Sequence, residues 1–162
     1  MRLALFSLLV LGLTAGCDTG LGEAQRIFDD QAYFGAAEGI TEVRIVDGAA
    51  VIVDTDPDDW RVGPSFGTRV QVLSPPSPNP ISRDDAITFT LFTTDPGPLQ
   101  LRWRDALGDA NFVEDFPSSA GGIRSVTVRG SELSDGTEGV FRVLVVDGSQ
   151  SAVTYGDVRV GG

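Results

Sequence analysis

One thiol and a large excess of carboxylates are the groups in this chain that could do chemistry. Cys17 is the only cysteine, aspartate and glutamate together number 23, and there is no histidine. The chain therefore has no His-based catalytic triad, no imidazole metal ligand and no general base poised near neutral pH by default. Paired carboxylates could in principle hydrolyse glycosides, but such pairs arise by chance in a surface this rich in aspartate and do not indicate an active site. We expect a protein that is not an enzyme, with no catalytic residue and no cofactor.

The cysteine follows directly on an apolar segment at the N-terminus. Arg2 supplies a positive charge, the segment from Leu3 to Leu13 is apolar, and the small residues Ala15 and Gly16 precede Cys17. As a helix this segment would span only about 16 Å at about 1.5 Å per residue, against about 30 Å for the hydrocarbon core of a bilayer. The pattern predicts that residues 1–16 are a signal peptide and not a membrane anchor.

This cut site resembles the lipobox of bacterial lipoproteins, with Thr14 at the position where the family usually has leucine. In that family the cysteine after the cut carries diacylglycerol on its sulfur and an acyl chain on its amine. The resemblance implies lipid attachment at Cys17, the membrane as a partner, and a location in the cell envelope, at the outer membrane or cell surface. The alternative is an ordinary signal peptide cut nearby, which would leave Cys17 as a free thiol or remove it.

Composition limits the partners further. Without residues 1–16 the chain keeps 146 residues, which suits one domain and a tether. Its net charge of −11 becomes −12 when Arg2 is lost, and all its basic residues are arginines that form no cluster. Nucleic acid is therefore excluded as an expected partner, since phosphate binding needs a basic patch. An acidic surface without lysine fits a high-salt habitat, and biased genomic base composition explains it equally well.

Two segments precede the main body. In residues 17–39, the predicted lipidated tether, Ala24, Ile27, Phe28 and Gln31 fall at helical spacing, so a short amphipathic helix or a loose tether both fit. In residues 40–68, alternating apolar residues flank an Asp47-Gly48 pair, which tolerates the positive φ angles of a type I′ turn. This second segment predicts a β-hairpin followed by an acidic turn.

The acidic turn holds Asp54, Asp56, Asp58 and Asp59. Alternate carboxylates are typical of the start of an EF-hand calcium loop, but its sixth position requires glycine and is Asp59, and its twelfth requires glutamate and is Ser65. We favour a solvated acidic turn that binds no metal.

Residues 69–162 contain short strands separated by turn residues. Leu99, Leu101 and Trp103 alternate with polar residues and predict a strand with one buried face, on which Phe89 and Val143 should also pack, while Gln100, Arg102 and Arg104 face solvent or the sheet edge. About seven such strands predict an all-β fold, an immunoglobulin-like antiparallel β-sandwich. Trp60 and Trp103 are interpreted as packing residues of the core and not as stacking platforms for sugars.

Residues 74–162 also resemble the C-terminal sorting domain of type IX secretion substrates, which is related to the immunoglobulin-like part of flagellar hook-capping proteins. The matching motifs run in the family's order: Pro78-Asn79-Pro80, then Ile87, Phe89 and Leu91, then Leu99 and Leu101, Asp105-Ala106-Leu107-Gly108, Gly139-Val140-Phe141, and Val158 to Val160. Ser77 stands where the family has an aromatic residue. The resemblance implies the sandwich fold and a role as an export address.

Two functional hypotheses follow. The first is a non-catalytic, membrane-anchored envelope lipoprotein whose sandwich binds an unidentified protein or envelope partner or has a structural role. The second is a type IX secretion substrate, with residues 74–162 as the sorting address and residues 17–73 as a small passenger. Retention or proteolytic removal of residues 74–162 in the mature protein distinguishes them.

Overall fold

A computed structural model describes residues 20–94, 97–105, 107–118 and 121–161. Cys17 and the predicted signal peptide lie outside these residues. The described chain contains one α-helix, ten strands and a short 3₁₀ turn at Gly130–Glu132. In chain order these are α1 (Leu21–Phe34), β1 (Glu42–Val46), β2 (Ala49–Asp54), β3 (Val70–Ser77), β4 (Ile81–Ser82), β5 (Ala86–Thr93), β6 (Leu99–Arg104), β7 (Ala110–Asp115), β8 (Gly122–Arg129), β9 (Gly139–Asp147) and β10 (Ala152–Gly161).

Eight of the strands form two facing sheets. One sheet has the order β3-β5-β8, and the other has the order β4-β10-β9-β6-β7. All neighbours are antiparallel except β4, which pairs parallel with β10. The chain changes sheet between β3 and β4 and returns between β4 and β5, and it changes again between β5 and β6, between β7 and β8, and between β8 and β9. This is the strand order of an immunoglobulin-like sandwich, so the predicted fold class is confirmed.

The core between the sheets is made by alternate residues of facing strands. Leu99, Leu101 and Trp103 are buried on β6, and Phe89 and Val143 are buried with them, as the alternation predicted. The indole of Trp103 meets the Phe141 ring edge-on, with ring centroids 5.8 Å apart. Both tryptophans lie in this core, since Trp60 is also buried and packs edge-on against Phe89 at 5.7 Å.

The core also draws on residues before position 69. Trp60 and Phe66 belong to the same cluster of buried side chains as the strands of the sandwich. The acidic turn and its continuation are therefore part of the sandwich and not a separate segment. The strand β3 continues through Pro75 and Pro76 to Ser77. It tolerates these prolines because it lies at an edge of its sheet.

The helix α1 covers the outer face of β9 and β10. Phe28 and Ala32 pack on a second cluster of buried residues, made by Leu144, Val146, Ala152 and Tyr155. The helix alternative for the N-terminal segment is thus realised, although the buried face is Gln25, Phe28 and Ala32, while Ile27 and Gln31 are exposed. No helix in the described part of the chain has the length and apolarity required to cross a membrane.

The hairpin β1–β2 forms a separate two-stranded sheet. Its turn has φ of 52° at Asp47 and 81° at Gly48, as the type I′ prediction requires. Val43, at the base of β1, is buried and pairs with Asn79 between β3 and β4. From Arg44 to Asp54 the hairpin projects from the sandwich with its side chains exposed.

Candidate functional site

The most elaborate polar cluster lies under the C-terminal end of α1. It joins Arg142 of β9 to Asp157 of β10, and it also includes Asp59 and Asn79; we call these four residues the latch. Arg142 and Asp157 are paired directly across the two strands in the sheet register. Both side chains are nearly inaccessible to solvent, at 8% and 2% exposure.

Arg142 uses its guanidinium in two directions. Toward β10 its Nε lies 2.6 Å from Oδ1 of Asp157, and its Nη2 lies 2.9 Å from Oδ2. Toward the N-terminal segment, Nη1 donates to the carbonyl of Gln31 at 3.1 Å and Nη2 to that of Ala36 at 2.7 Å. The guanidinium also lies over the Tyr155 ring, 4.8 Å from its centroid.

These contacts complete the end of the helix. The last four carbonyls of an α-helix lack partners within it, and its C-terminal end attracts a positive charge. The last turn of α1 contains no basic residue. Arg142 supplies the missing cation from the sheet, so it binds the helix end and neutralises Asp157 at the same time.

Asp59 and Asn79 extend the latch toward the hairpin. Asp59 accepts hydrogen bonds from the backbone N–H of Thr41 at 2.7 Å and of Asp157 at 2.8 Å. The amide of Asn79 donates to the carbonyls of Thr41 and Asp157 at 3.0 and 2.9 Å, and its oxygen accepts from the N–H of Arg159 at 3.0 Å. Together they fix the chain between α1 and β1 along the edge of β10.

Burial changes the acidity of the latch carboxyls. It raises the pKa of Asp59 to about 6, although the amides of Thr41 and Asp157 act in the opposite direction. Burial also raises the pKa of Asp157, against the lowering effect of Arg142. The latch therefore holds two carboxyls that bind protons more readily than exposed ones do.

The acidic turn differs from the solvated turn that the sequence predicted. Asp59 is a partly buried acceptor in the latch, whereas Asp54 and Asp58 are exposed and Asp58 pairs with Arg61 at 3.1 Å. Asp56 accepts from the N–H of Asp58 within the turn. Among the residues that the structure describes, no three carboxylates converge in a way that could hold a metal ion.

The residues of two other predicted motifs make hydrogen bonds that stabilise the fold. Asn79 of the Pro78-Asn79-Pro80 motif is fully buried in the latch. Asp105, from the Asp-x-Leu-Gly motif, closes the β6–β7 turn by accepting from the N–H groups of Leu107 and Asp109. Cys17, the predicted lipid attachment site, lies outside the described residues.

Sequence reasoning missed Arg142 and Asp157. A signal exists for Arg142, because it is a lone charge inside a run of apolar residues in β9, whereas Asp157 shares β10 with a second charge, Arg159. Such charges are rarely buried unless they are paired. The sequence did not reveal the pairing, because a bulge in β10 between Ala152 and Thr154 shifts its register with β9.

Comparisons with known proteins identify no family. No family model matches the chain, and no curated protein matches it. Among solved structures it is similar to an immunoglobulin-like protein from Pseudomonas aeruginosa, at 14% identity over 76% of this chain and 100% of that chain, with a TM-score of 0.34. A likeness at this level says nothing about function, and the immunoglobulin-like fold rests on the strand order described above.

Proposed function

We propose that this protein is a non-catalytic envelope lipoprotein, anchored by lipid on Cys17, whose immunoglobulin-like sandwich is a binding or structural module. The observation that carries the proposal is the docking of α1. The helix begins at Leu21, four residues after Cys17, and it is fixed to the sandwich from Gln25 to Tyr33. The lipid anchor would therefore hold a body of defined orientation and not one on a long tether.

The position of the helix determines which end of the sandwich would face the membrane. Its N-terminal half lies at the start of β10, where Gln25 donates to the carbonyl of Ala152 at 2.9 Å and Asp29 accepts from the N–H of Ala152 at 2.8 Å. Four extended residues span at most about 14 Å. The β9–β10 turn, which includes the exposed Ser149, would then lie near the bilayer surface.

The hairpin lies at the opposite end of β10. Its base is bound to Asn79, whose side chain accepts from the N–H of Arg159 near the end of that strand. At about 3.4 Å per residue, the distance along β10 from Ala152 to Val160 is about 27 Å. The hairpin would thus be directed away from the membrane, where it is accessible to a partner.

Lipid attachment is tested on the full precursor expressed in a bacterial host. We expect the mature protein to lack residues 1–16 and to show the added mass of diacylglycerol and an acyl chain in intact mass spectrometry. The control is Cys17→Ser, which removes the sulfur that the thioether requires and should yield no lipidated product. A wild-type protein without lipid mass would refute the proposal.

Orientation is tested with introduced thiols, since a lipidated Cys17 leaves no other cysteine. Ser149→Cys and Ala49→Cys each receive a fluorescent label in the lipidated protein bound to vesicles. Quenchers attached to lipid headgroups should quench the label at position 149 strongly and the label at position 49 weakly. Equal quenching at both positions would mean that the docked helix does not orient the sandwich.

The other hypothesis, export through a type IX system, makes residues 74–162 a removable address. The packing of Trp60 against Phe89 and the bond from Asn79 to Thr41 weigh against it, because removal of the address would break both. A cut before residue 74 would also divide the strand β3, which runs from Val70 to Ser77. The mature protein found in the lipid experiment distinguishes the two hypotheses, since only the export hypothesis expects it to lack residues 74–162.

A further inference from the structure

The hairpin carries an unusual apolar surface. We call the exposed side chains of Ile45, Val46, Val51, Ile52 and Val53 the hairpin patch. Each of them is between 44% and 52% exposed. They lie on both faces of the ribbon, because Val43 and Ile45 pair with Ile52 and Ala50, whereas Arg44 and Val46 pair with Val51 and Ala49. A ribbon that is apolar on both faces is unusual unless something covers it.

The strand β2 also has a free edge. The outer side of β1 is partly occupied, since Val43 and Asn79 exchange backbone hydrogen bonds of 2.7 and 2.9 Å. Among the described residues, β2 has β1 as its only neighbour. A strand edge of this kind, long and apolar, is a template for pairing with another strand.

The hairpin geometry determines which groups on that edge are available. In a two-residue hairpin the pair that closes the turn, here Val46 and Ala49, exchanges both of its hydrogen bonds. Alternation then directs the N–H and C=O groups of Ala50 and Ile52 outward, while those of Val51 point toward β1. An incoming antiparallel strand must satisfy the groups of Ala50 and Ile52.

The charge distribution of the chain indicates what covers the hairpin patch. From Ile45 to Val53 the only charged residue is Asp47, in a chain of net charge −11, so the hairpin is the region where two copies can approach with little repulsion. A lipid bilayer fits less well, because Asp47 stands at the tip of the hairpin and would enter the hydrocarbon first. Anionic lipid would also repel the acidic body.

We propose that β2 pairs antiparallel with β2 of a second copy of this chain, with Val51 opposite Val51 of that copy. This register places Ala50 opposite Ile52 of the other copy, so that the outward groups of both strands bond to each other. It also places Asp54 opposite Gly48, which avoids like charges facing across the pair. The two Val51 residues form a non-hydrogen-bonded pair, whose Cα atoms lie about 4.5 Å apart.

The close approach of position 51 to itself provides the test. The chain from residue 17 on, carrying Cys17→Ser so that lipid does not associate the copies, contains every residue that the structure describes. Sedimentation equilibrium should show a dimer of this protein. Val51→Lys and Val51→Glu should each raise the dimer dissociation constant at least tenfold, because each places like charges opposite each other.

An equimolar mixture of the Val51→Lys and Val51→Glu proteins should recover association as a heterodimer, because opposite charges then face each other. The matched control is Leu107→Lys, which adds the same charge at a side chain that is 89% exposed and distant in sequence from the hairpin; it should leave the dimer intact. A monomeric parent protein, a dimer that survives Val51→Lys, or a mixture that fails to associate would each overturn the proposal. Vesicle binding by a monomeric parent would assign the patch to lipid instead.

Discussion

Arg142 and Asp157 face each other across β9 and β10 and form two hydrogen bonds of 2.6 and 2.9 Å beneath the end of α1. The same guanidinium binds carbonyls of the N-terminal segment on its other side. The pair therefore connects the sheet to the helix that follows the predicted lipid site. The stability of this pair therefore determines how firmly the sandwich is held to α1.

Removal of Arg142 should loosen this connection. Arg142→Met leaves Asp157 buried without a counter-ion and should lower the free energy of unfolding by about 3–5 kcal/mol. The segment between α1 and β1 should also become more sensitive to protease. Arg159→Met is the matched control on the neighbouring strand β10, where the side chain is exposed, and should cost no more than about 0.5 kcal/mol. Equal losses in urea melts of the two variants would contradict a stabilising role for the pair.

Asp59 should make stability depend on pH. Its pKa in the folded protein is raised to about 6 from an ordinary value of 3.8, so the folded state binds the proton more tightly than the unfolded state does. Its contribution to the free energy of unfolding is therefore greatest below about pH 4 and falls as pH rises through 6. Because the group is only partly buried, we expect a change on the order of 1 kcal/mol.

The measurement compares the wild type with Asp59→Asn in urea melts from pH 4 to pH 8. The stability difference, wild type minus variant, should shrink as pH rises through 6, because the amide does not titrate. Asp58→Asn serves as the control, since that carboxylate is exposed on the same turn. A difference for Asp59→Asn that stays constant with pH would mean that this carboxyl does not titrate near 6.

Strand alternation allowed the inner core to be predicted. Leu99, Leu101 and Trp103 share one face of β6, and a period of two is enough to identify that face. The outer layer was harder to predict. Leu144 and Val146 interrupt the alternation of β9, and the structure explains them as the surface on which α1 packs. Strands covered on both faces appear in sequence as continuous apolar runs, which do not say what covers the second face.

The contacts within the latch could not be predicted from the sequence, for a similar reason. Its residues come from segments that are distant in the chain, since Asp59 and Asn79 meet β10 at Asp157. Only the folded sheet brings them together. Patterns of local periodicity contain no information about such contacts. For this reason the sequence predicts a solvated turn at Asp59, whereas in the structure its carboxylate accepts backbone hydrogen bonds from Thr41 and Asp157.

Neighbouring residues of β6 should differ sharply in their contribution to stability. Trp103 is buried against Phe141, so Trp103→Ala should cost about 3–5 kcal/mol and largely unfold the protein. Arg102 lies on the other face, half-buried, and donates to the carbonyl of Ala110 at 2.9 Å. Arg102→Ala should cost about 1 kcal/mol, as expected for the loss of such a bond. Urea melts that showed equal losses would contradict the assigned faces.

Gly156 and Trp60 should be coupled through space. The indole of Trp60 packs directly on the backbone of Gly156, so that a Cβ added there would overlap Cδ2 and Cζ2 of the ring, at 2.6 and 2.8 Å. Gly156→Ala should therefore cost about 1–3 kcal/mol by displacing the ring from the core. Gly161→Ala is the matched control, because it lies on the same strand with open space around its Cβ position, and it should cost no more than about 0.5 kcal/mol.

In a double-mutant cycle with Trp60→Leu, which removes the ring, most of the cost of Gly156→Ala should disappear. Additive losses in that cycle would mean that Gly156→Ala destabilises the strand for a reason other than contact with Trp60.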